Sequence, residues 1–351
     1  MQYISKFEKR KFGDRAYKKW RKKLRRRDKD GKIKVLEIKI IPPEIFSFSR
    51  GYDDTVSCLK KLKDKALSPP PRRTRVNVHI DLAPIKSIST AAALVLAAEI
   101  DRWRRHKKVK LRPRNVEDWD PSTLRMLTGL GFFDLLGVDE SMYPALEDLP
   151  DELAILPLVS CNTLDRERIS MIEEHLRMIA AAFDQEPSIY TALTEAAYNS
   201  INHGYPDDHE FVYRPIKNTW WATGSWSPDQ QNVKLIVYDQ GVGIPTTLPA
   251  WDHWETLRGW MSNKFDKLAT ALKQDASMIE AALEVSRTSL TSGHGQGLKD
   301  VVSPIDVLGK GQVRILSGKG EVRYSSDGSI YKTERSQHIG GTLIEWTIPV
   351  L

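Results

Sequence analysis

Apolar and polar positions alternate from Lys34 to Ile41, which predicts a strand that Pro42 and Pro43 terminate. Helical spacing follows from about Tyr52 to Leu67, and Ser68 to Thr74, with three prolines and two arginines, is a loop by composition. Strand Val76 to Leu82, helix Ala91 to Trp103, strand Val109 to Arg112 and helix Pro121 to Leu130 come next. This alternation predicts a mostly parallel sheet with crossover helices. Pro144, Pro150 and Pro157 mark a junction. Beyond it, a helix rich in Met, Ile and Leu spans about Asp165 to Phe183, and a second helix packs through Leu193, Ala196, Ala197 and Ile201. A β-rich run, Asn232 to Tyr238, precedes helical periodicity at Leu268, Ala271, Leu272, Ile279, Ala282 and Leu283, and Gly340-Gly341-Thr342 opens a last strand. The expected organisation is an arm (1–31), a parallel α/β domain (32–150) and a two-layer α/β sandwich with helices on one sheet face (151–351).

Charge changes this picture at one place. The chain carries +7, yet Lys9 to Lys34 alone holds fifteen Lys or Arg against three Asp, an excess of +12, so the remainder sums to −5. Within that segment Tyr17, Trp20 and Leu24 give a short helix an apolar stripe amid cations. Such a segment suits nucleic-acid phosphates, an anionic membrane surface or an acidic partner, and equally a solvated arm. No apolar run approaches a bilayer span, and the basic start lacks a following hydrophobic stretch of the secretory kind. Only Cys58 and Cys161 occur, without metal-type spacing, so the expected compartment is reducing and cytoplasmic.

Three distant segments carry candidate chemistry. In Thr194-Glu195-Ala196-Ala197-Tyr198-Asn199, the carboxylate and amide lie four apart, hence on one helix face, with Asn202 and His203 a turn later and Gly204 and Pro206 as a stop. The same spacing also serves a helix with a plain polar face. Asp239-Gln240-Gly241-Val242-Gly243 ends the β-rich run; an Asp there can accept from an exocyclic amine, and alternate glycines permit a close turn. Gly293-His294-Gly295-Gln296-Gly297-Leu298 stands before an apolar helical run, where backbone amides at a helix start suit phosphate. No GxxxxGK[ST] string occurs, and the glycine triplet follows a helical stretch, contrary to a dinucleotide fingerprint.

In that order these segments resemble the N, G1 and G2 boxes of the GHKL (Bergerat-fold) ATPase superfamily, which unites type II topoisomerases, large heat-shock chaperones, histidine kinases and mismatch-repair proteins. The helix ending in His203-Gly204-Tyr205 is most similar to anti-sigma-factor serine kinases. The resemblance implies an ATP site with Mg²⁺. In it Glu195 is catalytic, Asn199 holds the metal, and Asp239 reads adenine. Gly241, Gly243, Gly293, Gly295, Gly297, Leu298 and Thr342 complete the nucleotide contacts. It further implies a lid between the second and third boxes, where Arg287 either contacts the terminal phosphate or lies on the surface. The stretch Val78 to Leu94, with Thr123 to Phe133, resembles the STAS module of anti-anti-sigma factors. Ser89 matches near that family's phosphorylated Ser, although the preceding Asp is absent, and Ser89 equally suits a helix N-cap.

Three functions are consistent with these residues: an ATP-hydrolysing regulator that moves its lid and a protein partner, a serine or threonine kinase, and a nucleotide-sensing binding module without turnover. A homodimer is a further expectation, since related kinases pair through this domain. If the arm binds nucleic acid, affinity falls with salt at a slope near −0.9 per duplex phosphate contacted. Deleting residues 1–31 then removes that binding. Fluorescence anisotropy with duplex and single-stranded probes at two salt concentrations checks this, and equal binding by the truncated protein excludes nucleic acid as the arm's partner.

Overall fold

The computed structural model describes residues 34–69, 74–138, 153–179, 187–288 and 297–350. The basic arm, Gly293, Gly295, and Pro144 and Pro150 of the junction lie outside them. The first half runs β1 (Lys34–Ile40), β2 (Ile45–Phe46), α1 (Tyr52–Leu67), β3 (Thr74–Ile80), β4 (Ser87–Ile88), α2 (Thr90–Lys107), α3 (Pro121–Gly129) and α4 (Phe132–Leu136). Its strands are parallel, as expected, but form two separate pairs, β1 with β3 and β2 with β4, rather than one sheet. The expected strand Val109 to Arg112 is irregular. Lys108 and Asn115, at φ 50° and 51°, bend the backbone on either side of it, and the short run joins no ladder.

Helix α2 is the centre of this half. Ser89 caps it, its hydroxyl accepting from the Ala92 N–H at 3.3 Å, which is the local role its sequence position allows. Arg104, Arg105 and Lys107 occupy the last turn, where cations complement the helix dipole. Every residue from Thr90 to Trp103 is buried, so this helix is covered all round. Five alanines (91, 92, 93, 97 and 98) allow close approach of α1 and of strands from the second half.

The second half runs β5 (Ala154–Ile155), β6 (Val159–Cys161), α5 (Arg166–Ile179), α6 (Pro187–His203), β7 (Trp220–Ser227), β8 (Asn232–Asp239), α7 (Ile244–Thr247), α8 (Trp254–Lys264), α9 (Leu268–Ala271), α10 (Asp275–Thr288), α11 (Gly297–Leu308), β9 (Gln312–Ser317), β10 (Gly320–Ser325), β11 (Ile330–Glu334) and β12 (Thr342–Pro349). Its strands form one antiparallel sheet of order β11-β10-β9-β12-β8-β7-β5, with β6 also on β7. Period-two alternation splits each central strand between two cores. Val233, Leu235 and Val237 of β8 join Trp220, Trp346 and residues of α5, α6 and α11 on one face. Ile236 and Tyr238 join Trp221, Leu316 and Leu343 on the other, in a core continuous with α1, α2, α3 and α4. The expectation of helices on one face holds for this half's own helices; α2 of the first half covers the opposite face at β7 and β8. A two-layer sandwich is therefore three layers deep there, because Trp221, Ile236 and Tyr238 are too apolar to leave in water.

A shared core predicts joint unfolding. Ile236→Ala, at a fully buried site on the face that α2 covers, should cost about 2–5 kcal/mol. In denaturant titration, far-UV circular dichroism and tryptophan fluorescence should report one coincident transition, shifted in the variant; two separated transitions would show that the halves unfold independently.

Candidate functional site

Helix α6 carries Glu195 and Asn199 on the face that meets the start of α11. A Cβ on Gly297, the first residue of α11, would lie 2.8 Å from Asn199 Nδ2, 3.2 Å from Asn199 Oδ1 and 3.3 Å from Glu195 Oε2. Glycine is the residue that permits this approach, and it brings the first and third segments together. Helix α11 is pinned to the sheet by the Trp346 indole N–H, which donates to the Val301 carbonyl at 2.7 Å. Pro304 removes a helical donor, and the Ser303 hydroxyl instead caps the Asp300 carbonyl at 2.9 Å.

The end of α6 is locked to the second segment. The Val242 N–H donates to the Gly204 carbonyl at 2.8 Å, and a Cβ on Gly241 would fall 2.4 Å from that same oxygen. Gly243 has φ +89° and sits against Ser317 Oγ. Asp239 lies between Trp220 and Thr342 in the ladder, at the mouth of three central strands. Its carboxylate is buried, with Oδ1 accepting from Gly241 N–H at 2.7 Å and Thr342 N–H at 3.3 Å, and Oδ2 accepting from Ser200 Oγ at 3.0 Å. Gly341, at φ +149°, lets β12 begin directly against the Asp239 carbonyl, where a Cβ would be 1.9 Å away. Thr342 Oγ1 shares a hydrogen bond with Ser317 Oγ at 2.9 Å, and that oxygen accepts from the Ile244 N–H.

Burial raises the Asp239 carboxyl to about 6 against the pull of its three donors. Burial also raises Glu195, and the charge of Asp300 raises it further; Asp300 is itself raised by burial. Three expected site features thus converge: the Glu195 and Asn199 face, the Asp239 turn and the start of α11 at Gly297 and Leu298. Asn202 and His203 do not join them, since the Asn202 amide donates to the Tyr198 carbonyl and the His203 ring meets Tyr198 edge-on. Arg287 stacks over the Tyr324 ring at 4.4 Å and pairs with Glu284, so among the described residues it is engaged away from Glu195. The interval expected to form a lid is a helical block with its own core, and α10 packs onto β10 and β11 as part of the fold.

Sequence reasoning missed Ser200, Ser317 and Asp300. Ser200 is adjacent to Asn199 and Asp300 stands three residues beyond Gly297, but neither has a spacing signal until the helices meet. A hollow of about 370 Å³ lies elsewhere, on β9 to β11, lined by Gln312, Glu321, Arg323, Ser325, Tyr331 and Thr333. Its Glu321 is already satisfied by Arg314, Arg323 and Arg335, and the hollow is remote from Asp239. No group of three His, Cys, Asp or Glu suited to a metal occurs among the described residues. Compared with models of known protein families and with curated proteins, the chain matches none.

The raised Asp239 carboxyl makes stability pH-dependent with a definite sign. The folded state holds the proton more tightly than the unfolded one, so stability is fully present below about 4 and is lost as pH rises through about 6, by on the order of 3 kcal/mol. Asp239→Asn keeps the Oδ1 acceptor, and the Ser200 hydroxyl can turn its proton to the Ala196 carbonyl, 2.9 Å away, to accept from the new amide. Thermal melts from pH 4 to 7.5 should therefore show a shallower loss for the variant, with a melting temperature at pH 7 equal to or above that of the parent; a steeper loss would contradict this account of Asp239.

Proposed function

We propose that the chain is an ATP-binding regulatory protein whose second half follows the GHKL (Bergerat) arrangement and whose first half is STAS-like. The observation that carries the reading is the meeting of Glu195 and Asn199 with Gly297 beside the buried Asp239. A carboxylate whose direction is fixed by protein donors selects a base through its exocyclic amine, because a ligand without that donor forgoes a charge-assisted hydrogen bond. Asp239 serves adenine in this way, and Thr342 and Gly241 hold its orientation. The amides at the start of α11 donate to phosphate oxygens, whose negative charge the helix dipole favours.

Oxygen donors fit a hard cation, and Asn199 with phosphate oxygens and water would hold Mg²⁺. When bound, the ion would neutralise charge on the phosphates. Glu195 takes a proton from the attacking water; its raised affinity for protons brings it nearer the pH at which a base works well. Hydrolysis on this scheme is slow, and nucleotide occupancy alters contacts with a protein partner.

Glu195→Ala should bind ATP with little change and lose turnover by roughly 10²–10⁴-fold. Equilibrium titration and release of labelled phosphate test the two separately: undiminished release by the variant removes Glu195 from catalysis, and label appearing on a protein instead of in solution identifies a kinase. Because an amine donor favours the ionised carboxylate, ATP affinity should rise between pH 5 and 7 in the parent, and Asp239→Asn should lose both that rise and the preference for ATP over GTP.

A further inference from the structure

The residue that follows Asp239 points away from the site and into the first half of the chain. Gln240 is buried, and its side chain donates from Nε2 to the Ala98 carbonyl of α2 at 3.0 Å while Oε1 accepts from the Ile216 N–H at 3.2 Å. Its backbone N–H donates to the Tyr205 hydroxyl at 3.0 Å, and that hydroxyl donates to the Thr219 carbonyl at 2.5 Å. All of its polar groups except the backbone carbonyl are thereby committed, on both sides of the join between the halves.

The residue that precedes Asp239 is tied to the same helix. The Tyr238 hydroxyl lies 3.2 Å from Glu99 Oε1 of α2 and 3.1 Å from the Gly340 carbonyl. Lys63 of α1 lies 4.0 Å from the same Glu99 oxygen and stands over Gly340, where a Cβ would be 2.6 Å from its Nζ. Arg102 completes the group at 3.1 Å. Lys63, Glu99 and Arg102 are all buried, yet Glu99 Oε2 and Arg102 Nε have no hydrogen-bond partner among the described residues. A buried ionic group that is under-satisfied is a poor source of stability, and apolar residues of similar volume often do as well or better. What this group does supply is a fixed position for both backbone segments that flank Asp239, the end of β8 and the start of β12.

We propose that α1 and α2 form the back wall of the base site, with Gln240 and the Lys63–Glu99–Arg102 group as positioning residues that hold Asp239 where it discriminates between bases. This rests on the nucleotide reading of Asp239. It assigns the first half, through α1 and α2, a part in specificity. A carboxylate discriminates only while its direction is held to within about half an ångström, so loss of a clamp one residue away degrades choice of base more than it degrades phosphate binding.

The full chain tests this with Gln240→Met, which keeps the length and loses both side-chain bonds, and Tyr238→Phe, which removes one hydroxyl. Dissociation constants for ATP and GTP are measured for each by competition against a fluorescent ATP analogue, alongside melting temperature. In the parent, amide hydrogen exchange across residues 90–107 is measured with and without ATP. The expected result is a roughly tenfold fall in the ATP-to-GTP preference for Gln240→Met, a smaller fall for Tyr238→Phe, and slower exchange around residues 97–100 when ATP is bound. Folded variants with the parent's preference, or exchange in α2 indifferent to ATP, would overturn the positioning role while leaving the nucleotide reading intact. Absence of ATP binding by the parent would instead overturn the nucleotide reading itself, and this inference with it. Should Gln240→Met fail to fold, Tyr238→Phe and the exchange measurement on the parent still decide.

Discussion

A carboxylate taken out of water at the end of a strand is the constraint around which this molecule is arranged. Asp239 is buried in the ladder between β7 and β12, and its oxygens accept from Gly241, Thr342 and Ser200. Bringing three donors to one carboxylate requires backbone to pass closer than side chains allow. Gly241 abuts the Gly204 carbonyl, and Gly341 abuts the Asp239 carbonyl, and neither position has room for a Cβ. The glycines are thus consequences of the buried acid. They also carry the approach of α6, because the Val242 to Gly204 hydrogen bond joins the helix end to the turn.

The second organising fact is that the central sheet has two buried faces. Alternation along β8 directs Val233, Leu235 and Val237 to one core and Ile236 and Tyr238 to another. The first core is closed by helices of the same half, among them α6 and α11, which brings Glu195 and Asn199 to Gly297. The second is closed by α2, whose run of small residues allows close packing and whose Ala98 carbonyl and Glu99 carboxylate receive Gln240 and Tyr238. Residues on opposite sides of Asp239 in the chain therefore report to the same helix of the first half. Asp239 itself meets α6 through Ser200 on one face of the sheet, while its two chain neighbours are bonded to α2 on the other.

Much of the element order was legible in the sequence. Helix α1 coincides with the spacing read from Tyr52 to Leu67, and Asp120 with Pro121 opens α3 as cap and first-turn residues do. Glu195 and Asn199 share a face because four residues make about one helical turn, a local property. The strand expected at Val109 to Arg112 did not form: alternation shows that a run can be a strand, while pairing makes it one, and this run lies between left-handed residues at Lys108 and Asn115 and joins no ladder. The two parallel pairs in place of one sheet reflect the same dependence on partners.

What the sequence determined by itself was therefore local: periodicity, caps, stops, and the residue types able to bind a metal, a base or a phosphate. The tertiary structure alone decided which of these meet. It brought Gly297 against Asn199 and enlisted Ser200 and Ser317. It turned Arg287 toward Tyr324 and Glu284, and set α2 behind Asp239. The physical reason is that apolar burial is non-directional. A sequence pattern records that a face must be covered, whereas the choice of cover, and with it the set of polar groups brought within hydrogen-bond reach, depends on how the whole chain packs.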